Sequence, residues 1–369
     1  MKVRAWIDSG ATWPTFGGSS LGLLGASHIP SPRVYRSSRW PCDVSMKRKW
    51  QALVQPYEHP TTWKSVWQLV NSVLPFLVCW ALACRLARTS TLGSLFWCAL
   101  GTGFLLRIYI IQHDCGHGSF FASRRTNDVV GCILSAVTWI PYFRWRHDHA
   151  IHHATSGNLA RRGRGDVWTM TVREYERASA SVRLRYRLYR NPLVLFGVAP
   201  LFLFLVLYRL PAHADGRREI RSVHLTNLTV VLLVLALGAA VGFREVLVVH
   251  GPVLWMASTV AVWLFYVQHQ FEGSYWAAPP TWDHATEALK GSSFLILPPM
   301  LQWFSGNIGL HHVHHLSARI PNYELTRCMA ETPELQRARV VTLREGLRCL
   351  SLKLWDEDAS QLVGWDRAS

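Results

Sequence analysis

The histidines are the residues of this chain whose type and spacing most clearly predict chemistry. Ten of the 17 histidines stand in three tight clusters, and an eleventh, His269, ends an apolar block. In chain order the clusters are 113–117 (HDCGH), 147–153 (HDHAIHH) and 311–315 (HHVHH). Such clustering among apolar segments is typical of a metal site.

The spacing within each cluster predicts that several ring nitrogens point the same way. Residues three or four apart share one face of a helix, and imidazole is the commonest neutral metal ligand. Eight histidines at such spacing exceed one zinc ion, which takes four protein ligands in structural sites and three in catalytic ones. Two metal ions are the simpler interpretation, and ligands without thiolate favour iron, copper, nickel or zinc over magnesium or calcium.

The composition indicates a polytopic membrane protein. Of the 369 residues, 50% are hydrophobic and only 17% are charged. Four apolar blocks, each near the length that crosses a hydrocarbon core of about 30 Å, lie at 66–87, 94–111, 225–242 and 246–267. The net charge of +16 does not indicate nucleic-acid binding, because the basic residues flank apolar blocks, as the positive-inside rule predicts for membrane proteins.

A single site requires all the clusters to lie on one side of the membrane, and this requirement fixes the number of crossings. The short block 129–143, which contains Pro141, is predicted to lie in the interface, and 193–210, flanked by arginines, to be peripheral or re-entrant. The predicted fold is an all-α integral membrane protein. Four transmembrane helices form two hairpins, and peripheral helices and a cytoplasmic helical cap hold a histidine-ligated dimetal site.

The two ends of the chain differ from its middle. Residues 1–45 are rich in Gly, Ser and Pro and are predicted to be a disordered extension, with translation hypothesised to begin at Met46. An intact mass that matches a chain beginning at Met1 would contradict that hypothesis. Residues 46–345 are predicted to form the membrane domain and 346–369 a C-terminal tail. The eight cysteines are scattered without a CxxC pair, so no disulfide framework is expected.

Four segments of the chain contain the three clusters and His269. The segments are HDCGHGSFF (113–121), WRHDHAIHHATSGNLARRGRGDVWTMTVREY (145–175), QHQFEGSYW (268–276) and HHVHHLSARIPNYEL (311–325). Placing the histidines at the membrane surface already favours oxidation of an acyl chain. The four segments resemble the membrane-bound fatty acid desaturases, and most closely the omega-6 (Δ12) acyl-lipid branch.

The resemblance implies a diiron site and no catalytic side chain beyond it. Such a site uses dioxygen and two electrons to remove hydrogen from two adjacent methylenes of a membrane lipid acyl chain, releasing an alkene and water. Carried over by position, the implied metal ligands are His113, His117, His149, His152, His153, His269, His311, His314 and His315.

Further polar residues stand beside these ligands. His147 and His312 face away from the others on a regular helix and are expected in an outer layer or at the surface. Asp114, Asp148 and Asp166 could each accept a hydrogen bond from the second nitrogen of a ligand imidazole, or act as solvated or helix-capping carboxylates. Asn307 could hold a metal-bound water or form a turn beside Gly306.

The chain has no motif for a haem, an iron–sulfur cluster or a nucleotide, so a separate protein must donate electrons. A ferredoxin or a small cytochrome is expected, docked on Arg144, Arg146, Arg161, Arg162 and Arg164 unless these bind headgroups. Two alternatives stay open at this point. A lipid or carotenoid hydroxylase or ketolase shares the same clusters. A membrane metal transporter is disfavoured because the clusters lie outside the apolar blocks.

Overall fold

The computed structural model describes residues 44–163, 165–212 and 215–368. The predicted N-terminal extension lies outside these residues except for its last two, and Arg164 lies outside them as well. Met46 lies in the first helix, and the predicted translation start stays a prediction. In chain order the α-helices are α1 (Val44–Val54), α2 (Thr62–Leu86), α3 (Thr91–His117), α4 (Arg124–Thr138), α5 (Tyr142–Thr155), α6 (Val172–Arg177), α7 (Ala180–Tyr189), α8 (Ala199–Leu205), α9 (Arg217–Val241), α10 (Phe243–His269), the single turn His284–Thr286, α11 (Pro299–Phe304), α12 (His311–Leu316), α13 (Asn322–Glu331) and α14 (Leu343–Arg348).

Helices α2, α3, α9 and α10 are long and apolar enough to cross a membrane. They form the two hairpins α2–α3 and α9–α10, so the predicted fold class is confirmed and the chain is a membrane protein. Each helix begins before the apolar block that predicted it, because polar residues precede the block within the helix, and α3 and α10 also end after their blocks. The extension of α3 through its last residue, His117, matters most, since it places the first histidine cluster on a helix.

Helix α3 is the central element of the bundle. It packs against α2, α4, α5 and α10, and most of its second half is buried. The helix begins after Ser90, whose side chain accepts a hydrogen bond from the backbone N–H of Gly93. It ends at Gly118, whose φ of +73° is the left-handed conformation that glycine adopts at low cost. The chain therefore turns away directly after His117.

Helices α4 and α5 fill the region predicted to lie in the interface. A buried glutamine beside the first histidine cluster, Gln112, holds their connection: its side-chain amide donates to the Ser135 hydroxyl at 3.0 Å and to the Ile140 carbonyl at 3.1 Å. Thr138 returns a hydrogen bond to the Gln112 side-chain oxygen at 2.7 Å. The interhelical turn is thus fixed to α3 one residue before His113.

The segment predicted to be peripheral or re-entrant is broken into short pieces. Leu193–Val198 forms a π-helical turn, α8 follows, and Leu207–Arg209 forms a 3₁₀ turn. Together with α7 the segment is bent by 61°, and it makes a fifth crossing only if α7 and this segment count as one span. The re-entrant arrangement stays a prediction.

Two small sheets accompany the helices, and the sequence did not predict them. Strand β1 (Phe294–Ile296) pairs in parallel with β2 (Val340–Thr342), and β3 (Leu354–Asp356) pairs antiparallel with β4 (Gln361–Val363). The second pair lies in the predicted C-terminal tail, which is folded here. The remaining short helices are Gln55–Tyr57, Glu287–Gly291, Leu335–Arg337, Cys349–Ser351 and Trp365–Ala368.

Candidate metal centre

The structure brings all nine predicted ligand histidines together in two groups. Within each group, one ring nitrogen of every member lies within 4.8 Å of the others. The five-histidine group is His113, His117, His149, His153 and His314. The four-histidine group is His152, His269, His311 and His315.

Helices α5 and α12 supply both groups, because neighbouring faces of each helix point to different groups. On α5, His149 and His153 are four residues apart and enter the five-histidine group, while His152 is rotated away and enters the four-histidine group. Helix α12 divides in the opposite way: His314 joins the five, and His311 and His315 join the four. The two sites therefore form side by side on shared helices.

Helices α3 and α10 complete one group each. The end of α3 contributes His113 and His117 to the five-histidine group. The last residue of α10, His269, joins the four-histidine group, as the outlying position of this histidine in the sequence suggested. The site thus lies where one end of each transmembrane hairpin meets the helices between and after them.

Distances between ring nitrogens match those of ligands on a common metal. Nε2 of His153 lies 3.1 Å from Nε2 of both His149 and His314. In the other group, Nε2 of His269 lies 3.1 Å from that of His152 and 2.9 Å from that of His311. Two nitrogens that bind one metal at about 2.1 Å and at a right angle are about 3.0 Å apart.

Each group also contains a buried nitrogen without a hydrogen-bond partner. Nε2 of His117 in the five-histidine group and Nε2 of His315 in the four-histidine group make no hydrogen bond within the described part of the chain. A buried polar atom without a partner is costly unless something binds it. Together with the all-imidazole donor set, these two nitrogens fit a metal ion in each group.

Carboxylates hold the second ring nitrogen of several of these histidines. Asp114 Oδ1 lies 3.0 Å from Nδ1 of His113, and Asp166 Oδ1 lies 2.6 Å from Nδ1 of His152. Such contacts fix the tautomer with a proton on Nδ1 and leave the Nε2 lone pair free for a metal. Asp148, the third carboxylate singled out in the sequence, is half-buried. Its backbone carbonyl oxygen would lie 2.9 Å from a Cβ atom at Gly165.

The sequence did not single out Glu287, although this residue is fully buried at the four-histidine group. Its Oε2 lies 3.3 Å from Nδ1 of His315, and the Gly291 carbonyl lies 3.3 Å from Nδ1 of His269. Burial raises the pKa of Glu287 to about 7. Glu287 belongs to no histidine cluster, so no spacing pattern could have revealed it.

Asn322 links the first cluster to α13. Its backbone N–H and its side-chain amide donate to Asp114 Oδ2 at 2.7 and 2.8 Å. Asn307, which was expected to hold water or to form a turn, lies in a turn with a φ of +60° and donates to the Asn322 carbonyl at 3.1 Å. These contacts connect His113 through Asp114 to two asparagines.

His147 and His312 belong to neither group. His147 is half-buried on α5, whereas His312 is completely buried, with its ring 6.0 Å from that of Phe294. Burial lowers the pKa of His312 to about 4. His312 is therefore a neutral core residue. It lies outside both histidine groups, as expected, but it does not lie at the surface.

Burial also sets the charge of the clustered histidines. It lowers the pKa values of His149 and His153 on α5 and of His311, His314 and His315 on α12 well below the ordinary value, and neighbouring histidines add to the effect. These imidazoles are neutral at pH 7, and neutral imidazole is the form that binds metals.

Aromatic rings line the two groups. The Trp145 ring stacks on His149 with centroids 4.6 Å apart and an interplanar angle of 19°. The Phe265 ring contacts His152 at 4.9 Å and a steeper angle of 60°. Gly116 makes room for Trp145, since a Cβ atom at this position would lie 2.8 Å from the indole.

A small, partly open apolar cavity lies beside the site, among α3, α8 and α10. Leu105 and Tyr109 of α3 line it together with Leu254 and Ala257 of α10. The Tyr109 ring contacts Trp145 at 5.7 Å, and Trp145 in turn covers His149. One aromatic layer thus separates the cavity from the five-histidine group.

The basic face expected to dock an electron donor is mostly engaged within the protein. Arg144 is buried and donates to the Leu207 carbonyl, so the prediction that it belongs to an exposed docking face is wrong. Arg146 pairs with Asp128 and Arg162 with Glu174, while Arg161 is exposed. Of the expected residues that the structure describes, only Arg161 is fully available to a partner.

Comparisons with known proteins agree with this geometry. A family model described as fatty acid desaturase matches residues 89–346. A fatty acid desaturase of Bacillus subtilis is 43% identical over 312 residues, which cover 85% of this chain and 89% of that one. The sn-1 oleoyl-lipid 12-desaturase of Synechocystis sp. is 29% identical over 241 residues, covering 62% of this chain and 65% of that one. An acyl-lipid omega-3 desaturase (cytochrome b5) of Arabidopsis thaliana is 30% identical over 256 residues, covering 63% and 62%.

Proposed function

The chain belongs to the fatty acid desaturase family, and on that premise we propose that it introduces a cis double bond into an acyl chain of a membrane lipid, with two iron ions held by the nine clustered histidines. The observation that carries the proposal is the convergence of these histidines into two adjacent groups. We further propose that the double bond enters an oleoyl chain at the omega-6 (Δ12) position.

Each residue of the centre has a part in this proposal. When bound, two iron ions would activate dioxygen: one O2, two electrons, two protons and two hydrogens from adjacent methylenes give a double bond and two waters. The histidines hold the metals, and Asp114, Asp166 and Glu287 orient ligand rings from behind. Trp145 and Phe265 cover two of the rings and exclude water from them.

The apolar cavity supports an acyl chain as the substrate. An alkyl chain offers no polar handle near its reacting carbons, so only a shaped apolar surface can place one methylene pair at the metals. Leu105, Leu254 and Ala257 provide such a surface. The oleoyl substrate and the Δ12 position are supported by the resemblance of the histidine segments and by the Synechocystis relative, whose name gives that activity.

Filling the cavity is expected to change which chains are accepted. Ala257→Phe adds a ring where the end of a long chain would lie, so conversion of 18-carbon chains should fall about tenfold or more relative to 16-carbon chains, because one methylene contributes about 1–3 kcal/mol. The products are measured by gas chromatography–mass spectrometry. The matched control is Val248→Phe on the same helix, at a position that is 38% exposed. An unchanged chain-length profile in Ala257→Phe would exclude this cavity as the acyl site.

The proposal includes an external electron donor and an orientation in the membrane. A ferredoxin or a small cytochrome would supply the electrons, and the Arabidopsis relative is named for cytochrome b5. The histidine groups are proposed to face the cytoplasm, because Arg217, Arg218 and Arg221 stand at the end of α9 that enters the membrane beside them. A reporter enzyme that is active only in the cytoplasm, fused after residue 369, should be active.

Expression in a bacterial host that makes monounsaturated but no polyunsaturated chains tests the activity. With a ferredoxin system present, gas chromatography–mass spectrometry should show a new diunsaturated chain and give its double-bond position. The variant His149→Ala should yield none, whereas His147→Ala, on the same helix but outside both groups, should retain activity. Hydroxylated or keto products would contradict desaturation and favour the hydroxylase or ketolase alternative. A double bond at another position would overturn only the Δ12 assignment.

A further inference from the structure

A groove on the outer face of α4 is separate from the metal centre and has an unusual mixture of side chains. Arg124 and Arg125 line one part of it, and Val129, Ile133 and Phe143 line the rest. The arginines are exposed, as are the apolar side chains of Val129 and Ile133, whose exposed fractions are 51% and 64%. Exposed apolar side chains beside exposed cations indicate an amphipathic ligand.

The charges around this groove are unbalanced. Asp128 is the acidic residue of its lining, and this carboxylate is already shared by Arg146 at 2.9 Å and Arg218 at 2.8 Å. Neither Arg124 nor Arg125 forms an ion pair with any residue that the structure describes. The one carboxylate of the lining is therefore paired with two arginines outside it, and the two arginines of the lining are available to an anion.

The position of Arg218 places the groove at the depth of lipid headgroups. Arg218 lies in the first turn of α9, before the apolar part of this transmembrane helix begins near Leu225. Its guanidinium lies 3.8 Å from the centroid of the Phe143 ring, which lines the groove. Arginines and aromatic rings concentrate at this level of a membrane protein. The groove thus lies where a span meets the headgroup layer.

We infer that this groove binds an anionic glycerophospholipid. The phosphate accepts hydrogen bonds from Arg124 and Arg125, and an acyl chain lies along Val129 and Ile133. A free phosphate would leave the apolar wall uncovered. An acidic protein would bind the arginines without requiring exposed apolar side chains at headgroup depth. A phospholipid satisfies both parts of the groove at once.

Native mass spectrometry of the full-length protein in detergent tests the inference. Phosphatidylglycerol, phosphatidylcholine and inorganic phosphate are titrated separately, and phosphatidylglycerol should bind most tightly. Arg124→Gln/Arg125→Gln should weaken its binding about tenfold or more. The matched control is Arg177→Gln/Arg337→Gln, which removes two exposed arginines from the cap and should leave binding unchanged. Arg124→Lys/Arg125→Lys should keep most of the affinity, because the charge remains.

Several results would overturn the inference. Equal binding of phosphatidylglycerol by the Gln pair and the control pair would place the lipid elsewhere. Phosphate binding as tight as that of the lipid would show an anion site without a lipid role. A rise in KM for the electron donor, with unchanged lipid binding, would assign the two arginines to protein docking. Iron content and elution volume are measured for each variant, and the single variants Arg124→Gln and Arg125→Gln replace the pair if it does not fold.

Discussion

The five-histidine and four-histidine groups share α5 and α12 but differ in the helix that completes them. Helix α3 gives two histidines to the first group, whereas α10 gives only His269 to the second. A metal in the first group would have up to five imidazole ligands from this chain, and a metal in the second group up to four. The two groups therefore differ by one ligand.

The two groups also differ in what holds their ligands from behind. In the four-histidine group, Asp166, Glu287 and the Gly291 carbonyl contact three of the four rings. In the five-histidine group, one carboxylate in the described part of the chain, Asp114, contacts a ligand ring, that of His113. A hydrogen-bond acceptor at Nδ1 makes Nε2 of the same ring a stronger metal ligand. These acceptors would therefore compensate for the smaller number of histidines in the four-histidine group. We infer that ligand number stabilises one metal and outer hydrogen bonds the other.

Removing one ligand from each group should have the largest effect and should separate the groups. His269→Ala leaves three histidines and His117→Ala leaves four. A four-ligand zinc site stabilises its metal by about 10–16 kcal/mol, so one ligand contributes on the order of 3 kcal/mol, more than 100-fold in affinity. Both variants should lose product, but His269→Ala should lose more iron, measured by mass spectrometry of the purified protein. His147→Ala is the control, and equal iron loss in the two variants would contradict the comparison.

Replacing the carboxylates behind the rings should have the next largest effect. Asp166→Asn removes the anion that lies 2.6 Å from His152 and should weaken iron binding about 10- to 100-fold with little change in thermal stability. Asp114→Asn should lower both iron binding and Tm, because Asp114 also accepts two hydrogen bonds from Asn322. Chelator competition and thermal unfolding measure these quantities.

The control for this pair is Asp358→Asn, an exposed carboxylate that pairs with Arg173 on the surface. It should change neither iron binding nor Tm. If Asp166→Asn lowered Tm as much as Asp114→Asn, the carboxylate behind His152 would be a general packing element, and the proposed division of roles would not hold.

The parts of this centre that the sequence predicted are those encoded by local spacing. Clusters such as HDCGH place ligands on one helix face, and Asp114 stands next to its histidine, so both were accessible from periodicity. Glu287 and Asn322 were not accessible, because Glu287 is 28 residues from His315 and Asn322 is 208 residues from Asp114. Only the tertiary fold brings these pairs together.

The same distinction holds for the fold. Hydropathy located the four candidate spans to within eight residues at each end, since burial in lipid requires long apolar helices. It did not locate the strands, which are three residues long and join segments as distant as Phe294 and Val340. Nor did it show that Arg144 is buried, because its partners, among them the Leu207 carbonyl and the Asp215 carboxylate, lie more than 60 residues away in the chain.

Changing the aromatic rings should have the smallest effect and should test whether stacking replaces carboxylates in the five-histidine group. Trp145→Leu removes the ring that lies flat on His149, and an aromatic pair contributes about 0.5–1.5 kcal/mol, so iron should leave this group roughly two- to tenfold faster. Phe265→Leu should have less effect, because Asp166 still holds His152. Gly116→Ala, which pushes a methyl group into Trp145, should act in the same direction as Trp145→Leu. The release of iron to a chelator gives these rates, and a larger effect of Phe265→Leu would mean that aromatic contacts support both groups alike.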